Sequence, residues 1–581
     1  MHDIVIRSGT VVDGTGAPRR RADVAINGER ITEVGLDIAK GRREVDAEGL
    51  AVTPGWVDIH THYDGQVTWD SVVAPSSTNG VTSIVMGNCG VGFAPARPDK
   101  HEWLISLLEG VEDIPGTALA EGLPWNWETF PEYLDALAAL PFTIDIGAQV
   151  PHAALRTYVM GDRGGDHTAV ANENEIATMA LLCEQGLRAG ALGFTTSRTY
   201  VHRTRTGESI GTLTAATQEV LGIAAALDRA GHGVIQLISD AYQSNDDELV
   251  ARELELLEAL ALHIRHPLSF TVQQNDETPN RFRDLMTAVS DWNARGAQAK
   301  TQVGVRPIGV LIGLQASVQP FAFCPSWGEV GLLPNSEKLQ RLRDPNMRSR
   351  LLTEHGALRP TGFVSIIHSG YDRMFPLADP AGYEPTPEES VAGRARTTGV
   401  AANELLYDTL FAGHGDALLY IPLFNYANGN LDDVHEMITS PVALFGLSDA
   451  GAHCNTICDG SHPTTAIAHW TRDRVRGPRI PLEYIVHSQT QRTASHVGWH
   501  DRGVLAPGYL ADINVINLET INLSPPRLVA DLPAGGTRLL QDATGYETTL
   551  KRGAVTFQQS HHTGALPAKL VRGPQAAPQH P

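Results

Sequence analysis

Cysteine is scarce in this chain: Cys89, Cys183, Cys324, Cys454 and Cys458 are the five in 581 residues. So sparse and odd a set argues against a disulfide framework and fits a reducing compartment. Also missing is any run of about 18 apolar residues, the length a membrane-spanning helix needs. Positive charge is short as well. Lysine and arginine number 45 against 66 aspartates and glutamates, a net charge of −21. A chain so acidic is poorly suited to neutralising phosphates, which argues against general nucleic-acid binding. The N-terminus, MHDIVIRSGTVVDG, alternates like a strand and lacks the basic-then-apolar order of a secretory signal. These absences point to a cytoplasmic protein, away from nucleic acid and membranes. They leave a homo-oligomer open.

What is present is a globular composition, 42% hydrophobic. Residues 3–50 read as short strands divided by turns such as Asp13-Gly14 and Asn27-Gly28. ADINVINL (511–518) and GAVTF (553–557) repeat that style near the other end. Between them, strand-like runs begin at 54, 81, 143, 190, 233, 267, 297 and 442. Helical stretches such as 218–231 and 248–264 alternate with them. Repeated strand–helix units imply a parallel sheet, and eight of them suggest a closed barrel. The expected fold is α/β, a (β/α)8 TIM-like barrel over 54–499. A small β-sandwich domain would come from 1–53 and 500–560, a lid or subdomain from about 306–440, and a flexible tail from 561–581.

Three places along that pattern could carry chemistry. His60 and His62 end the first apolar run, and residues i and i+2 of a strand face one side. Two imidazoles so placed converge on one point, and neutral imidazole is a good zinc ligand. Gly87-Asn88-Cys89-Gly90 ends the second run, where a thiol is either a small buried side chain or a metal ligand. Ser448-Asp449-Ala450-Gly451 ends the eighth, where the aspartate either caps a helix or serves a site. His453, Cys454, Cys458 and His462 follow closely, but their spacing fits no zinc-finger pattern and they read as pocket residues.

Taken together, PGWVDIHTHYD (54–64) resembles the first barrel strand of the amidohydrolase superfamily. GNCGVGFAP (87–95) resembles its D-aminoacylase branch, the N-acyl-D-amino-acid deacylases. In that branch a cysteine at this place stands in for a bridging carboxylated lysine. The resemblance implies amide hydrolysis by metal-activated water. It also implies a metal held by His60, His62, Cys89 and Asp449, with Asp449 as catalytic proton shuttle. VPHAALR and GALGFTTSRTY resemble further segments of the branch and make His152 and Tyr200 substrate-lining candidates.

Two departures stand out. The branch carries histidines at the ends of strands five and six. Here Ile238 or Ser239 and Gln274 or Asn275 fall in those places, and amides are poor zinc ligands. One zinc ion therefore replaces the expected pair, with Asp240 as a further candidate ligand. The branch's basic clamp for the substrate carboxylate is also missing, leaving Arg198 and Arg306 as replacements. A cyclic amide or ester hydrolase, a metal-poor enzyme and a non-catalytic scaffold stay open beside the deacylase.

Overall fold

The structure, a computed structural model, describes residues 1–579. Strands run parallel through its middle. We label them β1 (Trp56–Asp58), β2 (Val81–Met86), β3 (Asp145–Ala148, resumed at Val150–Pro151) and β4 (Gly193–Arg198). β5 (Val234–Ser239), β6 (Leu268–Thr271), β7 (Ala299–Val303) and β8 (Ala443–Phe445) follow. Each starts within an expected run. β1, β2 and the first part of β3 form one sheet; the second part of β3 through β8 form another, in sequence order. Beyond the ends of β1 and β8, Thr61 and Ala450 make a parallel bridge, and His62 N donates to Ala450 O at 2.8 Å.

The connecting helices follow from local sequence. Glu173–Ala189 starts on a capping box in which Asn172 and Glu175 satisfy each other's backbone. It stops at Gly190, whose φ of 117° needs a residue without Cβ. Asp247–His263 starts at Asp246, whose carboxylate accepts from the amides of Glu248 and Leu249. Its buried face, including Val250, Leu256, Leu257 and Leu260, recurs at helical spacing.

The two chain ends meet in one nine-stranded sheet, with Val52 of Ala51–Pro54 paired to Val515 of Ile513–Ile516. Its own apolar cluster joins Ile6, Val24 and Ile26 from one end to Ile513, Val515 and Leu550 from the other. Between β7 and β8 the chain builds a separate three-stranded antiparallel sheet from Ile308–Gly313, Phe375–Pro376 and Leu418–Phe424. Helices wrap it around a core that includes Ile312, Phe321, Leu351 and Ile421.

The tail departs from expectation. His561–His562 extends the nine-stranded sheet, Ala568 bridges to Phe142 just before β3, and Leu570 bridges to Ile146 within it. Val571 is buried in a cluster with Val57, Val85, Leu192 and Trp499. Proline and glycine suggested a free end, but these few apolar side chains fill space around the strands. His580 and Pro581 lie outside the described residues. All five cysteines are free and buried. No helix among the described residues is long and apolar enough to cross a membrane.

Candidate metal centre

The site begins where β1 ends. His60 and His62 emerge on one side, both buried, with ring centroids 5.5 Å apart. His60 Nδ1 faces the amide oxygen of Gln302 on β7. The Gln302 amide nitrogen donates in turn to Ser269 Oγ on β6 at 3.0 Å. With the amide oxygen facing it, His60 Nδ1 is the donor, and Nε2 is the atom turned toward the other site residues. Nε2 lies 3.3 Å from Cys89 Sγ and 3.1 Å from Asp449 Oδ1.

Cys89 arrives there through a tight backbone coil after β2. Gly87, Cys89 and Gly90 all have positive φ, at 81°, 54° and 71°. A Cβ on Gly87 would sit 2.5 Å from Gln149 O, and one on Gly90 2.6 Å from Thr196 Cα. Only glycine fits either place. Cys89 N donates to Gln236 Oε1 of β5 at 2.8 Å, which pins the thiol toward the histidines.

Asp449 is presented by a second strained segment. Leu447 and Asp449 have φ of 57° and 45°, rare values for residues with a side chain. Ser448 latches this segment onto β1: its hydroxyl donates to Asp58 and lies 3.1 Å from His60 O. Asp449 Oδ1 then reaches both His60 and His62, the latter Nε2 at 3.5 Å.

The electrostatics follow from this crowding. Burial works against a charged His60 ring, yet Cys89 and Asp449 outweigh it and hold the pKa up at about 9. Burial likewise opposes charge on His62, but Glu112 and Asp449 hold it well above its ordinary value. Burial alone would push the Cys89 thiol up; the His60 charge brings it down instead. The Asp449 carboxyl also falls below its usual range, because His60 and His62 overcome burial.

One ligand atom each from His60, His62 and Cys89 lies within 4.8 Å of the others, and no other such group of three occurs among the described residues. Two imidazoles, a thiol shifted toward thiolate and an ionised carboxylate form a donor set that suits zinc. The residues fit a metal ion.

Other candidates lie elsewhere. His152 is locked between Thr196 Oγ1, at 2.8 Å, and Glu219 Oε1, at 3.1 Å, with Arg156 on the same carboxylate. Arg198 forks onto Glu253 and donates to Ala215 O. Arg306 is fully buried over the Tyr383 ring and donates to Asp459, Cys458 O and Thr465. Both guanidiniums are committed inside the protein. Tyr200 is half exposed, its backbone NH held by Asp240. Asp240 also takes Thr199 and Gln243.

At the places of the absent histidines, Ile238 is buried, Ser239 donates to Glu253, and Gln274 donates to Asp433. Asn275 donates to Tyr242 O. Cys454 and Cys458 stay neutral, burial pushing each thiol up to about 12. Four residues at the site had no signal in sequence reading: Glu112, Gln236, Gln302 and His202. The last is held neutral by burial and by the neighbouring His62 and His453, its pKa down at about 3.

Known proteins share this arrangement of chain. D-aminoacylase of Alcaligenes xylosoxydans xylosoxydans is 34% identical over 296 residues, covering 50% of this chain and 55% of that protein. N-acyl-D-aspartate deacylase of the same organism is 35% identical over 199 residues, 34% of this chain and 37% of the relative. The matched stretches thus span about half or less of these relatives' length. The crystal structure of D-aminoacylase superposes with a TM-score of 0.64 at 22% identity, covering 98% of this chain and 100% of that one. N-acyl-D-glutamate deacylase from Bordetella bronchiseptica, solved with zinc and a phosphonate inhibitor, gives the same values. At such identity the likeness shows a shared fold. The Amidohydrolase family model matches residues 43–557, nearly the whole chain, and the protein belongs to that family.

Proposed function

We propose that this protein hydrolyses a carbon–nitrogen amide bond of a small molecule, with N-acyl-D-amino acids as the leading substrate class. The observation that carries the reading is the cluster of ligand atoms from His60, His62 and Cys89, with Asp449 Oδ1 set against both histidines. Two deacylases among the relatives support the substrate class. The β1–β8 order, returning through the Thr61–Ala450 bridge, supports a closed (β/α)8 barrel with the site at its C-terminal mouth. In this reading 1–53 and 500–560 form a small β domain around the nine-stranded sheet, where the sequence suggested a β-sandwich, and about 306–440 is an inserted subdomain. Free thiols at all five cysteines support a reducing, cytoplasmic setting.

His60, His62, Cys89 and Asp449 would hold one zinc ion. When bound, such an ion supplies Lewis acidity, making water nucleophilic and the amide carbonyl electrophilic. Asp449 does the proton work. Its carboxylate is ionised in this setting, so it accepts a proton from water as the carbon–oxygen bond forms. It returns that proton to the amide nitrogen as the carbon–nitrogen bond breaks. The Ser448–Asp58 latch keeps the carboxylate beside the histidines through both transfers.

A cyclic amide or ester is the second reading. What favours it is the commitment of Arg198 and Arg306 to Glu253 and Asp459, which leaves neither as a free clamp for a substrate carboxylate. Metal analysis of the purified chain, then chelation and assay on N-acyl-D- and L-amino acids, cyclic amides and esters, tests both. The expected result is about one zinc per chain and loss of activity on chelation. Full activity in metal-free protein overturns the metal reading, and turnover confined to cyclic amides or esters overturns the deacylase one.

A further inference from the structure

Glu112 ends helix α1 (His101–Glu112), which lies between β2 and β3, and its side chain is buried. Its Oε1 sits 3.1 Å from His62 Nδ1, and its Oε2 sits 3.9 Å from His453 Nε2. Its backbone oxygen accepts from the His453 amide. The next residue, Asp113, turns the chain with φ 50° and accepts from Asn455 N at 3.2 Å and Thr456 Oγ1 at 3.0 Å. The 112–113 pair therefore grips both halves of the site at once. One half is His62 at the end of β1; the other is the segment that follows Asp449.

A buried carboxylate needs a compensating charge. Among the described residues, no lysine or arginine forms an ion pair with Glu112; its ion-pair partners are His62 and His453. The approach to His62 is oblique, and the two atoms are close without being aligned as a hydrogen bond. Such alignments tighten when a site is loaded. His60 shows the same division of labour, its Nδ1 on Gln302 and its Nε2 toward Cys89 and Asp449.

We propose that Glu112 is the positioning residue for His62. It takes the proton on Nδ1 and leaves Nε2, the atom on the Asp449 side, bare for a divalent metal. Through His453 and Asp113 it also fixes where the Asp449 segment sits relative to that atom. This rests on the metal reading of the site. A histidine whose second nitrogen is held by a carboxylate is both oriented and made more basic, and losing that partner costs a site about 10–100-fold in metal affinity.

Cobalt titration of the full metal-free chain, followed by the thiolate-to-cobalt absorption of Cys89, tests the proposal. Glu112→Ala is expected to bind cobalt about 10–100-fold more weakly. Glu112→Gln, which keeps an acceptor oxygen, is expected to recover part of that loss. Wild-type affinity and spectrum in Glu112→Ala overturn the proposal while leaving the metal site standing. A wild-type chain that takes up no cobalt overturns the metal reading and this one with it. Should Glu112→Ala fail to fold, nitrogen-15 shifts of His62 in the wild type decide. In the zinc-loaded chain, a proton on Nδ1 with none on Nε2 supports the proposal, and a ring carrying its proton on Nε2 overturns it.

Discussion

Two pairs of histidines are both shut off from solvent in this protein and titrate in opposite directions. His60 and His62 are 1% and 2% exposed; His355 and His368, in the insertion between β7 and β8, are 1% and 3% exposed. Burial disfavours the charged ring in all four. Around His60 and His62 stand Cys89, Asp449 and Glu112, and these reverse the effect. Around His355 stand Phe321, with ring centroids 4.5 Å away, and His368, stacked at 3.8 Å. No ring nitrogen of that second pair has a hydrogen-bond partner among the described residues. His355 falls to about 4 and His368 falls with it. Depth alone therefore does not mark a site. Opposite charge enclosed with the imidazole does, because such an arrangement is costly unless a ligand or a reaction uses it.

The largest effect expected from this contrast is on turnover. Asp449→Asn keeps the shape of the side chain and removes the base. It should lower kcat/KM by about 10²–10⁴-fold, measured on whichever acyl substrate the wild type turns over. His355→Leu should leave kcat/KM within about twofold of wild type, as expected for a substitution that touches no reacting group. A comparable loss in His355→Leu would break the division between the two pairs.

A smaller effect separates the thiols that accompany them. Cys89 is drawn down by His60, whereas burial pushes Cys324, in the insertion's core, up to about 12. Cys89→Ala should weaken zinc binding by more than the about 10–100-fold that an outer partner is worth. Cys324→Ala should leave zinc binding unchanged and cost only the packing of a small side chain. Competition with a chromophoric chelator reads both, and equal zinc affinities in the two variants would remove Cys89 from the ligand set.

How much of this could be read in the sequence depends on how local each feature is. His60 and His62 declare themselves by strand spacing, and Cys89 by the glycines that its backbone coil requires. The eight strands show because each is a short apolar run with its own boundaries. Glu112 does not show, since one glutamate at the end of an amphipathic helix looks like any solvated one. Arg198, Arg306 and His152 look available in sequence because their partners are remote. Glu253 is 55 residues from Arg198, Asp459 is 153 from Arg306, and Glu219 is 67 from His152. The tail misleads for the same reason. Leu570 and Val571 are two apolar residues in a proline- and glycine-rich end, and only the three-dimensional fold supplies the two separate clusters that they join.

The smallest effect concerns stability in acid, and its sign follows from the insertion's pair. The His355 pKa is depressed from 6.5 to about 4 in the folded protein. Below 6.5 the unfolded chain takes up a proton that the folded chain refuses, so stability present at neutral pH declines as pH falls toward 4. Each such proton contributes at most about 1.4 kcal/mol per pH unit. His355→Leu removes that linkage and replaces two unpartnered ring nitrogens with apolar volume, a change expected to be neutral or stabilising at pH 7. Urea unfolding between pH 7 and pH 4.5 should show a shallower acid decline in the variant than in wild type. Parallel curves would mean that His355 does not titrate differently on folding. The insertion's pair would then be no counterpart to His60 and His62, and the contrast would rest on the site alone.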